Sequence, residues 1–268
     1  DGSTDDTQKV LADLQKEALP LSLRFFHQEN KGQGAARNFG IDLAHGDIIV
    51  FIGDDIVVTP KFLQHHEKLH KAHFEENSAV LGFITWHPKL KITKLMQFME
   101  KGAAVFGRFG GHQFAFDLLK NKEKADARFF YTSNISIKKS LLNKFKFDTE
   151  FSGYGWEDIE LGTRIEKTVG LNLYYAPEAI AHHDHEMSDK DFKFRMINVG
   201  EAVHLIDKKY PELKKNPSGL KKALFLAAGS PLGLFILKVL HKDLYFYALS
   251  KKYFLEGLKK GYNKKRFK

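Results

Sequence analysis

The stretch that most constrains this chain is GDIIVFIGDDI, residues 46–56, in which Ile48, Ile49, Val50, Phe51 and Ile52 run without interruption towards the carboxylates of Asp54 and Asp55. A short apolar run with no polar alternation predicts a central strand buried on both faces of a parallel sheet. In open α/β sheets the ligand crevice lies beyond the carboxyl ends of such strands, so both aspartates are expected at a ligand. Two neighbouring carboxylates repel each other, and a hard divalent cation, Mg2+ or Mn2+, makes the pair tolerable. On local grounds alone, Asp-Asp equally suits a solvated turn.

The flanking segments extend an α/β pattern. DGSTDDT reads as a turn whose Ser3, Thr4 or Asp5 caps a helix with Val10, Leu11, Leu14 and Ala18 on one face, stopped by Pro20. SLRFFHQ is expected as a strand, followed by the glycine-rich NKGQGAARNFG and a short helix running to Gly46. Gly32 and Gly34 suit a close backbone approach to phosphate, but their spacing is neither the dinucleotide fingerprint nor a P-loop. Arg37 stands out there because a guanidinium can fork onto phosphate oxygens, although a surface arginine reads the same way. Thr59-Pro60 predicts a helix start. His65, His66, His70 and His73 within that helix sit among lysines and read as solvated. SAVLGFITW, residues 78–86, is another buried strand, which makes the first part a doubly wound α/β half.

Further on, KITKLMQFMEKGAAVF has helical spacing, and the glycine- and aromatic-rich segment after it reads as a mobile loop. FFYTSNISIK, residues 129–138, is an expected strand, and Ser140 an expected cap of a brief helix. Trp156-Glu157-Asp158 then opens a helix carrying Ile159, Leu161, Ile165 and Val169 up to Gly170. Carboxylates in a first helical turn are favoured, and kept ionised, by the helix dipole; an ionised Asp at the mouth of a site can also serve as a general base. LNLYYAPEAIAHHDH reads as a strand broken by Pro177, with His183 and His185 on one face and His182 on the other. An imidazole there, beside the paired aspartates, would complete a metal site. DFKFRMINVGEAVHLIDKKY is expected as one further helix.

Composition bounds the remainder. The 268 residues contain no cysteine, which removes disulfides and thiolate metal sites, and the net charge of +9 suggests an anionic partner. From about residue 212 the chain becomes basic and aromatic-rich. An apolar stretch interrupted by Gly229-Ser230-Pro231 and Lys238 makes a poor spanning helix, and the tail suits interfacial helices on an anionic membrane. Docking on the core or binding RNA fits the same tail. The opening at Asp1, inside a strand-to-helix turn, leads to the expectation that the first strand or strands are missing, and no basic-then-apolar leader follows.

Four segments, in order, resemble the family 2 inverting glycosyltransferases of GT-A fold: residues 1–7, 30–56, 130–142 and 147–165. The resemblance implies an α/β fold with a mostly parallel, Rossmann-like sheet flanked by helices and a C-terminal helical extension. Its divisions would be a nucleotide-sugar-binding half at 1–90, an acceptor-binding and catalytic half at 91–211, and basic amphipathic helices at 212–268. It implies that Asp1 binds the donor base, and that Asp54 and Asp55 stand at the Asp-x-Asp element. Gly53 replaces that element's first aspartate and leaves the metal contact to Asp55. By the same resemblance Arg37 is a donor contact, Asp158 of the Glu157-Asp158 pair is the base, and His183 or His185 is a further metal ligand.

The implied reaction is metal-assisted transfer, with Mg2+ or Mn2+, from a sugar nucleotide of UDP type to a glycan or lipid-linked acceptor hydroxyl. A carboxylate of ordinary pKa suffices for it if well placed. Donor and acceptor choice would rest on loops around Trp86, Gly111 to Phe116 and Tyr154. The expected location is the cytoplasmic, inner face of an anionic membrane, with no nucleic-acid partner. The alternatives are a nucleotidyltransferase of related architecture and a non-catalytic basic module binding glycan or nucleic acid.

Overall fold

The computed structural model describes residues 1–17, 21–104, 108–110 and 114–266. In chain order the elements are α1 (Thr7–Leu14), α2 (Gln33–Leu43), β1 (Ile48–Ile52), β2 (Ile56–Val58), α3 (Phe62–Ala72), β3 (Ser78–Trp86) and α4 (Lys94–Lys101). The short strands β4 (Ala103–Ala104), β5 (Arg108–Phe109) and β6 (Lys124–Ala125) follow, then β7 (Asn134–Lys138), α5 (Lys139–Lys144), α6 (Glu157–Val169) and β8 (Asn172–His183). The chain finishes in helices: α7 (Asp189–Glu201), α8 (Val203–Lys209), α9 (Gly219–Ala228), α10 (Pro231–Leu240) and α11 (Lys242–Arg266).

The main sheet runs β1-β7-β3-β8-β2, with β6 added on β8. It is mixed, which corrects the mostly parallel sheet expected. Among the described residues β3 and β8 pair in parallel, whereas β1–β7, β3–β7, β2–β8 and β6–β8 are antiparallel. The apolar run of β1 is likewise no central strand: its described pairing is to β7 alone, and Ile48 and Ile52 at its ends are exposed. Hydrophobic runs report a tendency to be buried, but the direction and number of partners come from distant parts of the chain. Nor does SLRFFHQ join the sheet. The Gly2 N–H donates to the Gln28 carbonyl and Arg24 to the Leu43 carbonyl, but no ladder forms there.

Strand β3 coincides with the expected 78–86 and is the buried centre of the core, with Ala79, Val80 and Leu81 inaccessible. The expected strand at 129–138 shortens to β7 behind a 3-10 turn at Ala127–Phe129. Strand β8 continues through Pro177 instead of breaking, absorbed by a register shift against β3 between Gly82 and Phe83. Helix α5 is capped at Lys138 rather than by Ser140, and α3 begins at Phe62, two residues beyond Pro60. Val10 on α1 and Val169 on α6 are exposed, whereas Leu161 and Ile165 enter the core. Ala18 and Pro20, and Gly111 of the proposed specificity loop, lie outside the described residues.

The histidines of α3 are a further correction. His66 and His70 are buried, one helical turn apart and in line with Phe62, on the face that packs against the sheet. Ser136 Oγ lies 2.8 Å from His66 Nδ1 and 2.9 Å from His70 Nε2, and Asn134 Oδ1 lies 2.9 Å from His66 Nε2.

The basic tail divides in two. Helix α11 docks on α7 along a glycine crossing so close that a Cβ at Gly257 would fall on the Ile197 carbonyl, and it buries Phe246, Ala248, Leu249 and Leu258. The expected interfacial role therefore does not extend to α11's aromatic face. Helices α9 and α10 contain no buried residue.

Candidate active site

At one end of the strands the carboxyl ends of β1 and β8 and the amino end of antiparallel β7 point the same way, and a cavity of about 350 Å³ opens there. Its walls come from separate segments: Arg37 on α2, Asp54 and Asp55 between β1 and β2, Tyr131 to Ser133 before β7, Tyr154, Gly155 and Glu157 to Ile159 at the start of α6, His183 at the end of β8, and Arg195 on α7. The expected residues Arg37, Asp54, Asp55, Glu157, Asp158 and His183, separated by up to 146 positions, thus converge. A depression beside Asp5 to Leu11 has comparable volume but gathers residues of one segment only.

Register places the first pair. Ile56 lies opposite His183 across β2 and β8, and the Asp184 N–H donates to the Asp55 carbonyl at 2.7 Å, so Asp55 is held beside the imidazole. Asp55 Oδ2 and His183 Nε2 are 3.3 Å apart. Burial, resisted by the Asp55 charge, lowers the His183 pKa and keeps the ring neutral, the form a metal accepts. Trp86 and Phe114 fix the ring edge-on at centroid distances of 5.4 and 5.7 Å. Asp54 is exposed at the rim. At Gly53 a Cβ would stand 2.8 Å from Asp55 Oδ1, so the residue that departs from the Asp-x-Asp pattern leaves that carboxylate its space.

The donor set can be tested against a divalent ion. Octahedral ligands at about 2.1 Å put adjacent donors about 3 Å apart, which the Asp55–His183 spacing fits. Among the described residues no set of three or more His, Asp or Glu side chains is poised around one point. The protein side therefore offers one carboxylate oxygen and one imidazole nitrogen, a set that suits an ion completed by phosphate and water. His185 does not belong to it. Beyond the end of β8, its ring centroid lies 6.1 Å from that of His183, and its Nε2 faces Asp191 Oδ2 at 3.8 Å instead of Asp55.

The second cluster opens α6. Trp156 precedes the helix in the left-handed region at φ 76°, and its indole N–H donates to the Val199 carbonyl at 2.9 Å. A bulky residue there costs about 1–2 kcal/mol, strain of the kind retained at functional sites. The turn buries Glu157 against Arg37, with Nη1 to Oε1 at 2.8 Å, while Arg37 Nη2 donates to Gln33 Oε1 at 3.2 Å. Arg37 is thus engaged with protein acceptors rather than open to fork onto phosphate.

Asp158 faces the cavity beside Glu157. Burial of its carboxyl, then the Glu157 charge, push its pKa up to about 7 against Arg37 and the Ile159 and Thr132 amides. The expectation of a dipole-stabilised carboxylate of ordinary pKa is corrected: desolvation and a like charge outweigh the helix end. Tyr154, its pKa raised by burial, lies under the Arg195 guanidinium at 5.1 Å.

Asp1 does not line the cavity; its carboxylate accepts from Gln28 Nε2 at 2.7 Å and the Lys31 N–H at 3.0 Å. Arg195, in contrast, is a cavity residue that sequence reasoning missed. The available signal was a lone arginine in DFKFRM, ten residues past the histidine cluster on the next helix.

The family model for glycosyl transferase family 2 matches residues 1–155. An uncharacterized glycosyltransferase of Bacillus subtilis, YfnE, is 26% identical over 226 residues, covering 70% of this chain and 56% of that protein. An uncharacterized glycosyltransferase of Rickettsia conorii is 31% identical over 114 residues, covering 42% of this chain and 17% of its own length. The chain thus spans about half the length of the first relative and a smaller share of the second. Among solved structures, a mannosyltransferase from Pyrobaculum calidifontis in complex with GDP-Man and Mn2+ superposes with a TM-score of 0.61 at 16% identity, covering 98% of this chain and 76% of that one. The architecture is the GT-A fold with a helical C-terminal region.

Proposed function

This chain belongs to glycosyl transferase family 2, and on that premise we propose that it transfers a sugar from a sugar nucleotide to an acceptor hydroxyl with inversion, Asp158 acting as the general base. The observation that carries the reading is the cavity in which Asp158 shares one wall system with Asp55, His183 and Arg195. A base whose pKa lies near neutrality is suited to accept a proton late in bond formation, and the burial of Asp158 supports that role.

In the proposed reaction an Asp158 oxygen accepts the acceptor's hydroxyl proton as that oxygen bonds to the anomeric carbon, on the face opposite the nucleotide. The bond from that carbon to the diphosphate oxygen breaks, the nucleoside diphosphate leaves with the electron pair, and the carbon inverts. Arg195, in the same cavity as Asp55 and near enough to His183 to act on its charge, would bring positive charge to the leaving diphosphate as that gains negative charge. Arg37 holds Glu157, and the pair fixes the turn from which Asp158 projects. Asp55 Oδ2 and His183 Nε2 would hold a divalent ion, Mg2+ or Mn2+. When bound, such an ion supplies Lewis-acid stabilisation of the diphosphate. The Pyrobaculum protein was solved with GDP-Man and Mn2+, and a nucleoside-diphosphate sugar with a divalent ion is the combination assigned to this chain.

The test is a panel of UDP- and GDP-sugars read by thermal shift with and without Mn2+, followed by transfer assays on the hits and the anomeric configuration of the product by NMR. A metal-dependent shift with one donor and an inverted linkage support the reading. A retained configuration, or no donor binding with or without metal, overturns it.

A further inference from the structure

Helices α9 and α10 carry a surface that the transfer reaction does not use. Leu224, Leu226, Leu232, Phe235, Val239 and Leu240 are each more than half exposed on a helix pair bent by 71° across Gly229-Ser230, with Leu232, Phe235 and Val239 sharing one face of α10. Apolar patches of this kind on an isolated chain mark an interaction site. The bend is built in. Ser230 Oγ donates to the Ala227 carbonyl at 2.7 Å and accepts from the Gly233 N–H at 3.1 Å, which closes α9 and caps α10. The inner side is fixed to the body: Leu234 packs on the core, and Phe225 meets Tyr247 of α11 at 6.3 Å.

Charge identifies the occupant. Residues 219–242 contain Lys221, Lys222, Lys238 and Lys242 and no aspartate or glutamate, and all four lysines are exposed. A second copy of the same face would set lysines against lysines, whereas an anionic bilayer meets both the apolar side chains and the ammonium groups. By length and composition the two helices together pass as a broken span or a re-entrant loop, but neither helix alone reaches across. Each helix has 10 residues, or about 15 Å, against a hydrocarbon core of about 30 Å. Among the described residues no single helix is long and apolar enough to cross a membrane. We infer that the α9–α10 hairpin is a monotopic anchor that immerses Leu232, Phe235 and Val239 in one leaflet, with its lysines at anionic headgroups.

Helix α11 carries this anchor to the site. It packs along the length of α7, the helix from which Arg195 enters the cavity. The anchor thereby holds the transfer site at the membrane surface, where a membrane-borne acceptor would be presented.

The inference is tested with the full chain by flotation on phosphatidylcholine vesicles and on vesicles with about 30 mol% phosphatidylglycerol, without donor or acceptor, so the outcome does not depend on the catalytic reading. Flotation with the anionic vesicles is expected, falling about tenfold in the Leu232→Asp, Phe235→Asp double variant and partly in Lys221→Gln, Lys222→Gln. Circular dichroism and thermal melting verify that these variants are folded. Because the chain has no cysteine, Phe235→Cys accepts a single environment-sensitive dye, whose emission is expected to shift to the blue only with anionic vesicles. Three results would each overturn the inference. One is absence of flotation, another is flotation unchanged by Phe235→Asp, and the third is a dimer by light scattering that Phe235→Asp dissolves, which would assign the face to a second copy.

Discussion

Asp55 Oδ2 faces His183 Nε2 at 3.3 Å because Ile56 and His183 are partners across β2 and β8. The pairing delivers two donors of different chemistry to one point from residues 128 positions apart. Under the proposed function it would also link metal affinity to the integrity of a three-residue strand.

Removal of either donor therefore has a common signature. Asp55→Asn and His183→Ala are expected to abolish the Mn2+-dependent part of the donor thermal shift and to lower transfer about 100-fold, while the metal-free melting temperature moves little. Chelation of the wild type should reproduce the loss. Titration by calorimetry checks it, and an unchanged Mn2+ affinity in both variants would separate the pair from the metal.

The pH dependence of transfer follows from Asp158. A base must be unprotonated, so kcat/KM should rise with pH through an apparent pKa near 7 and level off above it. Glu157 pushes that pKa up and Arg37 pulls it down. Glu157→Gln should therefore move the rising limb to lower pH and Arg37→Gln to higher pH. The raised pKa also has a stability consequence of definite sign. In the folded chain Asp158 holds its proton above the unfolded value, so its contribution is present at low pH and lost as pH rises through about 7. Asp158→Asn should accordingly melt higher than wild type at about pH 8, with the advantage shrinking towards pH 4.

The Arg37–Glu157 pair is itself a stability element. Glu157 is almost fully buried, and its second carboxylate oxygen has no hydrogen-bond partner. Arg37→Ala leaves that charge without its counter-ion and should cost about 3–5 kcal/mol in urea unfolding at pH 7.5. Replacing both residues by Leu should recover part of the loss, because the desolvated charge is then gone.

Much of this site could be read from local signals: an apolar run ending in Asp-Asp, and carboxylates opening a helix. Those signals marked Asp55 and Asp158 as candidates, with a solvated turn and a helix-dipole carboxylate as the plain alternatives, and their roles came from the family resemblance; the structure places both residues on one cavity. What local patterns could not supply was pairing. The approach of His183 to Asp55 follows from the pairing of β2 with β8, the edge position of β1 from its partner β7, and the burial of His66 and His70 from the face α3 turns to the sheet. The lysines around those histidines suggested solvent, while the stripe Phe62, His66, His70 pointed inward. The pKa of Asp158 was equally beyond local reading, since it is set by the enclosure around the helix start.

The buried histidines make their own prediction. Burial holds the pKa of His66 below its ordinary value and takes that of His70 down to about 4. The unfolded chain binds these protons near pH 6.5 and the folded chain does not, so stability present above pH 6.5 is lost as pH falls towards 4. His70 alone accounts for about 3 kcal/mol of that loss. Ser136→Ala, which removes the hydroxyl between the two rings, should cost about 2–4 kcal/mol at neutral pH. Urea midpoints across this pH range check both statements.

The central claim is that Asp158 is the base, and Asp158→Asn tests it most directly in single-turnover transfer with donor, acceptor and Mn2+ supplied. Transfer is predicted to fall about 10³-fold, with the donor-induced, Mn2+-dependent thermal shift retained. Turnover close to wild type in a variant that still binds donor would contradict the assignment.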